Sequence, residues 1–197
     1  MAEHFSDRVK NFFTINEPQC IVGLGYQTGE HAPGLKVGPS DYFRIWHNVL
    51  KAHGRAVEAL REFSKQPVKI SMAPCGALYV PETNKPEDIE AARKANFSLP
   101  ENSIGACSWD VALCCDPVYL GQYPEDILKE FGQFFPKVTD ADMKLISQPL
   151  DFFGQNMYNA VTVRAGEDGK AVRAARYDGF PQTCLLYTSP SPRDAHE

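Results

Sequence analysis

The sequence predicts an α/β fold in which parallel strands alternate with helices. Two short apolar segments, one around Phe12 and Phe13 and one at residues 68–74, have the length and composition of buried strands. Between them, apolar residues recur at spacings of three and four over residues 42–60, which is typical of an amphipathic helix. A strand, a helix and a second strand in this order form a β-α-β unit, whose strands are parallel.

The rest of the chain is predicted to continue the alternation of helices with short strands. A glycine- and proline-rich loop is expected at residues 23–38, with Ser40 or Asp41 capping the helix that follows. Residues 151–158 are predicted to form a third strand. The remaining predicted elements are helices at 87–96, 102–118, 125–131 and 139–147, the last opened by Thr139, and a hairpin of residues 161–164 and 171–176.

The composition is that of an ordinary globular protein. The 197 residues are 43% hydrophobic and carry a formal net charge of −5. Nucleic acid is not an expected partner because the basic residues are scattered, and no apolar run approaches the roughly 18 to 20 residues of a membrane span. The start of the chain lacks the features of a secretory signal. We therefore expect a cytoplasmic protein without cofactor or membrane contact, and the oligomeric state stays open.

The cysteines predict thiols and not a metal centre. They stand at positions 20, 75, 107, 114, 115 and 184, without a C-x-x-C pair and without a histidine at zinc-ligand spacing. Cys114 and Cys115 could form a redox pair, but buried reduced thiols are the favoured interpretation. His47 and His53 could suggest a metal pair, yet a separation of six does not place them on one helix face. Both histidines are therefore expected to pack within the fold.

A carboxylic acid stands where the first apolar strand ends. Asn16 and Glu17 close the segment that contains Phe12 and Phe13, and Pro18 stops the strand because proline offers a sheet no N–H donor. In α/β barrels the catalytic groups lie at the carboxyl ends of the strands. On position alone, a glutamate in a surface loop remains the alternative.

The chain resembles glycoside hydrolase family 1, the β-glucosidase family of retaining (β/α)8-barrel enzymes. The first landmark is Phe-Thr-Ile-Asn-Glu-Pro at residues 13–18, which resembles the fourth barrel strand of the family with its acid/base glutamate. The similarity runs from about Phe5 to Thr183. Later landmarks follow in the order of the family, at residues 25–26 with 31–34, 47–48 with 52–53, 116–117, 121–124 and 151–158.

This resemblance implies a partial (β/α)8 TIM barrel over residues 1–183, with about three of the eight strands, the fourth to the sixth, and their helices. Residues 184–197 depart from the family pattern and resemble a translated sequencing adapter, so we expect a non-native, disordered tail. Three strands cannot close a barrel that needs eight. The sequence is accordingly expected to be an internal fragment of a longer gene.

The resemblance also implies roles for four residues. Glu17 matches the acid/base, which protonates the leaving oxygen and then deprotonates water. As the acid it must be protonated at neutral pH, which a nearby carboxylate and partial burial would arrange by raising its pKa. Asn16 matches the residue that hydrogen-bonds the sugar 2-hydroxyl, Tyr158 matches the tyrosine that hydrogen-bonds the nucleophile, and Asn156 matches a residue that orients the site. A turn-forming Asn16 and a core Tyr158 are the alternatives, and Met157 stands where the family more often has tyrosine.

The family's nucleophile is absent from the chain, since its Ile/Val-Thr-Glu-Asn-Gly segment does not occur here. We expect a chain derived from a retaining β-glucosidase that hydrolyses terminal β-D-glucosides, itself inactive. Pro18 favours unphosphorylated β-glucosides, because phospho-β-glucosidases of the family tend to have isoleucine after the Asn-Glu pair. The alternatives are a 6-phospho-β-glucosidase, a catalytically dead sugar-binding relative and an artefact polypeptide without a biological role.

Overall fold

A computed structural model of the chain describes residues 1–99, 103–157 and 160–175, which divide into two compact units. The first unit consists of Met1–Gly76 and Phe97–Asn156, and the second consists of Ala77–Asn96 and the residues from Met157 onward. The predicted change of character at residue 184 lies outside the described residues. In chain order the helices are α1 (Ala2–Phe5), α2 (Pro39–Phe63), α3 (Pro86–Phe97), α4 (Ile104–Trp109), α5 (Val111–Cys115), α6 (Glu125–Phe131) and α7 (Asp140–Ile146), and the strands are β1 (Asn11–Asn16), β2 (Lys69–Ala73), β3 (Leu78–Pro81), β4 (Ala160–Ala165) and β5 (Ala171–Arg173).

The first unit contains the predicted β-α-β arrangement. Strands β1 and β2 are parallel, with Phe12 opposite Ile70, and the long helix α2 connects them along the chain. The register shifts between Phe13 and Asn16, just before β1 ends. Phe12 is buried, whereas Phe13 is 54% exposed, so only one of the two predicted core phenylalanines lies inside. Successive strand residues face opposite sides of a sheet, which explains the difference.

Helix α2 confirms the predicted amphipathic pattern but begins earlier than expected. Its first residue is Pro39, and Gly38 occupies the capping position with an extended backbone and no side-chain hydrogen bond. Ser40 and Asp41, the predicted caps, therefore lie in the first turn. Proline is favoured at the first helical position because its fixed φ suits a helix and its missing N–H would have no partner there.

The main core of the first unit forms around one face of α2. Apolar side chains from α2, from residues 20–28, from α5 and from the later helices form this core with Trp46, which is completely buried. A smaller cluster beside β1 and β2 joins Val57 and Leu60 of α2 to Phe12 and Ile70. Together these clusters fix α2 against the sheet, and thereby fix the ends of β1 and β2.

Two predicted elements take a different form in this unit. Residues 20–28, partly predicted as loop, form a π-type helix (Cys20–Thr28) that ends at Gly29 with a left-handed φ of 75°. The single helix predicted at 102–118 is divided at Asp110, whose backbone is extended and whose carboxylate accepts from the N–H of Ala112 at 2.7 Å. Aspartate at such a position competes for backbone donors and starts a new helix, which the apolar pattern alone does not reveal.

The predicted third strand at residues 151–158 is not a regular strand over its described part. Residues 151–156 run alongside β2 with one isolated parallel bridge, between Cys75 and Asn156. The Asp151 carboxylate accepts a hydrogen bond from the N–H of Ile70 at 2.8 Å, so a side-chain oxygen stands in for a backbone carbonyl. Gly154 lies so close to the ring of Phe13 that a Cβ atom at this position would collide with the ring. A side-chain hydrogen bond from Asp151 and the close packing of Gly154 on Phe13 therefore take the place of a regular ladder of backbone hydrogen bonds.

The remaining predicted helices agree with the structure. Helices α3 and α6 match their predicted ranges, and α7 is opened by Thr139 in a capping box with Asp142. Within the described ranges, no helix is both long and apolar enough to cross a membrane.

The second unit is a small sheet with one helix. Strand β4 pairs with β3 in parallel and with β5 in an antiparallel hairpin, which confirms the predicted hairpin as far as residue 175. The Asp88 carboxylate of α3 accepts from the N–H of Ala165 at 2.8 Å, and the Asn96 side chain bonds both backbone groups of Tyr79. Polar side chains of α3 thus complete the edges of this sheet.

Candidate active site

Glu17 lies directly beyond the end of β1, and its backbone is fixed on both sides. Its N–H donates to the carbonyl of Ala73 at 2.7 Å, and its own carbonyl accepts from the N–H of Cys20 at 2.9 Å. Its φ is 47°, in the left-handed region that non-glycine residues rarely adopt. Such backbone conformations concentrate at functional sites, where the surrounding structure holds them in place.

Asn156 joins the two residues at the end of β1. Its amide nitrogen Nδ2 donates to Oδ1 of Asn16 at 2.9 Å and to Oε1 of Glu17 at 2.7 Å. The two hydrogens of one amide group suffice for both bonds. The structure therefore brings together three of the four predicted site residues, which lie up to 140 positions apart along the chain. The fourth, Tyr158, lies outside the described residues.

The second oxygen of Glu17 faces two cysteines that the sequence analysis assigned to packing. Cys20 Sγ donates to Glu17 Oε2 at 3.3 Å and lies 3.9 Å from Cys75 Sγ. Burial is the main reason that the pKa of both thiols is raised, that of Cys75 to about 12, so both are neutral at pH 7. One signal could have found them: each follows the end of a predicted strand, and adjacent parallel strands end at the same edge of a sheet.

Gln19 lies underneath this group of side chains and is completely buried. Its Oε1 accepts from the backbone N–H of Cys75 at 3.2 Å and lies 3.8 Å from the Cys75 sulfur. This hydrogen bond to the Gln19 side chain fixes Cys75 relative to the segment that follows Glu17. We call the five residues Asn16, Glu17, Cys20, Cys75 and Asn156 the strand-end site.

Both histidines of α2 pack within the fold, as predicted. His53 Nδ1 lies 2.6 Å from Oγ1 of Thr14 on β1, and burial lowers the pKa of His53 to about 4. His47 Nδ1 lies 2.8 Å from the hydroxyl of Tyr123. Burial also lowers the pKa of His47, although nearby Asp142 opposes this. His53 therefore supports β1 from below as a neutral ring.

Both oxygens of the Glu17 carboxyl group are contacted by other members of the strand-end site. Glu17 is half-buried, and its hydrogen-bond donors include an uncharged amide on Oε1 and an uncharged thiol on Oε2. Neutral donors can contact a carboxyl group without holding it as an anion as strongly as a bound cation would. The site therefore combines a strained strand end, a positioned carboxyl group and a second amide, that of Asn16.

The sequence over residues 1–183 matches the family model described as glycosyl hydrolase family 1. Because this match covers most of the chain, the protein belongs to glycosyl hydrolase family 1. Its described residues are an α/β part of the TIM-barrel fold of that family.

Curated relatives from bacteria, fungi and plants are similar to the chain. β-Glucosidase A of Thermotoga maritima is 35% identical over 187 residues, which are 94% of this chain and 39% of the relative. β-Glucosidase 1B of Phanerodontia chrysosporium is 34% identical over 83% of this chain and 30% of its own length. Avenacosidase 1 of Avena sativa is 30% identical over 80% and 28%, respectively. The chain thus spans about two fifths or less of the length of these relatives.

The chain is also similar to solved structures of family 1 β-glucosidases. The family 1 β-glucosidase of Thermotoga maritima superposes with a TM-score of 0.66 at 34% identity, over 89% of this chain and 37% of that one. The complex of the Thermotoga maritima β-glucosidase with deoxynojirimycin superposes equally well, over 88% of this chain.

Proposed function

We propose that this chain is the acid/base-bearing part of a retaining β-glucosidase that hydrolyses terminal β-D-glucosides. The observation that carries the proposal is the hydrogen bonding of Asn156 to both Asn16 and Glu17 at the end of β1, within a chain of glycosyl hydrolase family 1. The names of the relatives, which include β-glucosidases and 1,4-β-D-glucan glucohydrolases, support the substrate class. Pro18 favours unphosphorylated glucosides.

In this proposal Glu17 protonates the leaving oxygen of the glycoside and later takes a proton from water. The Asn156 amide donates to Oε1 and the Cys20 thiol donates to Oε2, so both oxygens of the Glu17 carboxyl group are held in place. When the leaving group departs, the negative charge forms on the carboxylate that Asn156 and Cys20 already contact.

Asn16 is proposed to contact the sugar 2-hydroxyl. Its Oδ1 is taken by the Asn156 amide, which leaves the Asn16 Nδ2 as the group that can donate to a sugar oxygen. Hydrogen bonds to the 2-hydroxyl strengthen in the oxocarbenium-like transition state. Asn156 is thus a positioning residue for both neighbours, and Tyr158 remains the predicted partner of the nucleophile.

The position of the chain in the barrel is part of the proposal. We assign β1, β2 and residues 151–158 to the fourth, fifth and sixth barrel strands, and residues 1–183 to the glycosidase segment. Residues 184–197 remain a predicted non-native tail. A cytoplasmic location is supported by the thiols of the five described cysteines, which are all free.

Glu17→Ala tests the assignment in a full-length protein that carries this segment. We expect hydrolysis of substrates with poor leaving groups to fall by about 10² to 10⁴, the usual contribution of general acid catalysis. Activated aryl glucosides should still form the glycosyl-enzyme. Added azide should then restore turnover and yield a β-glycosyl azide, since azide attacks without a base. Equal loss for all leaving groups, without azide rescue, would refute the role of Glu17.

The 197-residue chain by itself is predicted to be inactive. Retaining hydrolysis requires two carboxyl groups about 5 to 5.5 Å apart, and the family's nucleophile segment is missing from this sequence. The measurement is turnover of an aryl β-glucoside by the purified chain, with the Glu17→Gln chain as control. Turnover that survives purification and disappears in the control would contradict the prediction.

A further inference from the structure

We propose that Glu17, Cys20 and Cys75 form a binding site for a thiophilic divalent cation such as zinc or cadmium. The three residues offer one carboxylate oxygen and two sulfurs, which all lie within 4.8 Å of one another. The two cysteines are separated by 55 positions along the chain, so they have no metal-ligand spacing in the sequence. They meet because β1 and β2 are adjacent parallel strands.

The distances match those around a tetrahedral cation. With metal–sulfur bonds of about 2.3 Å, two sulfur ligands of zinc stand about 3.8 Å apart, and a sulfur and a carboxylate oxygen stand about 3.5 Å apart. The two sulfurs here are 3.9 Å apart, and Cys20 Sγ lies 3.3 Å from Glu17 Oε2. Two edges of a ligand tetrahedron are therefore already present.

Hydrogen bonds with neighbouring backbone and side-chain groups hold the three ligands in this arrangement. The Cys20 N–H donates to the carbonyl of Glu17, and the Cys75 N–H donates to the side chain of buried Gln19. Cys75 is also bridged to Asn156, whose amide holds Oε1 and leaves Oε2 toward the sulfurs. A site that is fixed before binding loses little conformational entropy when the cation enters.

The donor set selects the kind of cation. Thiolate ligands favour zinc and its softer relatives over magnesium or calcium, which prefer oxygen. Binding requires that both thiols release their protons to solvent, while the carboxylate binds as the anion. Two thiolates and one carboxylate leave the fourth position of a tetrahedron for water.

Occupation of the site has one consequence, which rests on the proposed function. The cation binds the carboxylate of Glu17, whereas acid catalysis needs the protonated carboxyl group, so the cation and the catalytic proton exclude each other. The binding itself does not depend on whether Glu17 is catalytic. For that reason the test measures binding and not activity.

The test titrates the 197-residue chain with Cd²⁺ and follows the sulfur-to-cadmium charge-transfer absorption in the ultraviolet. We expect one tight site per chain, displaced by Zn²⁺ and unaffected by Mg²⁺. Cys20→Ser and Cys75→Ser should each remove it, and Glu17→Gln should weaken it at least about tenfold, as loss of a supporting group alone does in known metal sites. Cys115→Ser, which changes another half-buried cysteine, is the matched control and should bind like the parent chain.

A second measurement uses the unchanged chain and so does not depend on the folding of variants. Saturating Cd²⁺ should protect Cys20 from alkylation by iodoacetamide, as read by peptide mass spectrometry, while Cys115 keeps its rate. Equal protection of both cysteines would overturn the proposal, as would a tight cadmium site that persists in Cys20→Ser or is lost in Cys115→Ser.

Discussion

Two carboxylates of the first unit are held in contrasting surroundings. Asp142, at the start of α7, contacts Lys51 Nζ of α2 at 2.6 Å and forms the capping box with Thr139. We call His47, Lys51, Thr139 and Asp142 the helix anchor. Glu17, in the strand-end site, is contacted by the amide of Asn156 and the thiol of Cys20. A cation contacts Asp142, whereas an amide and a thiol, both neutral, contact Glu17.

The cationic partner of Asp142 in the helix anchor changes the pKa of its carboxyl group. The Lys51 ammonium, together with the Thr139 side chain, holds the pKa of Asp142 well below its usual range. The contribution of Asp142 to stability is therefore present above the ordinary aspartate pKa of about 3.9 and is lost as the pH falls further. Asp142 is therefore a structural contact between α2 and α7, whereas Glu17, at the end of a strand, is the residue proposed as the acid/base.

The largest expected effect separates the two carboxylates by function. In a full-length protein carrying this segment, Glu17→Gln should lower kcat/KM for an unactivated β-glucoside by about 10² to 10⁴ with little change in melting temperature. Asp142→Asn should lower the melting temperature with little change in kcat/KM, because it removes the ion pair between α2 and α7. Paired assays of hydrolysis and thermal unfolding check both. A variant pair in which both substitutions reduce activity alike would erase the distinction.

The next effect concerns the support of the strand-end site by His53. Its pKa is about 4 in the fold, below the ordinary value of about 6.5, so the unfolded chain binds more protons between these pH values. The contribution of His53 to the free energy of unfolding should accordingly be fully present above pH 6.5. It should fall by about 3 kcal/mol as the pH is lowered to about 4.

Denaturant unfolding at a series of pH values measures this loss. His53→Gln keeps a neutral polar side chain beside Thr14 and should show a flatter profile over the same interval. His31→Gln, a change at an exposed histidine, is the matched control and should keep the slope of the parent chain. If the His53→Gln profile is as steep as that of the parent, the loss has another origin.

The smallest expected effect tests the capping of the helix anchor. Thr139→Ala removes the side chain that accepts from the N–H of Asp142 at 3.1 Å, and should cost about 1 kcal/mol of stability. Ser40→Ala is the control, because Gly38 and not Ser40 caps α2. Its free energy of unfolding should stay within about 0.5 kcal/mol of the parent, as for most surface changes. A larger loss from Ser40→Ala would show that the cap of α2 is assigned wrongly.

Local features of the fold could be predicted because short stretches of sequence determine them. The apolar periodicity identifies α2, Thr139 marks the start of α7, and the end of β1 follows from Pro18. Asp110 was missed because it splits a helix by bonding its own neighbours, which leaves the apolar periodicity intact. The start of α2 was missed because glycine and proline cap it through backbone conformation and without a side-chain bond.

The sequence by itself determined the family resemblance and, through the segment around Asn16 and Glu17, the residue proposed as the acid/base. Only the tertiary structure decided which groups contact that carboxyl. Asn156 and Cys75 are distant from Glu17 along the chain, and they reach it because β1 pairs with β2 and residues 151–156 run beside β2. Side-chain contacts between segments depend on the register of the strands, and no local pattern of residues encodes that register.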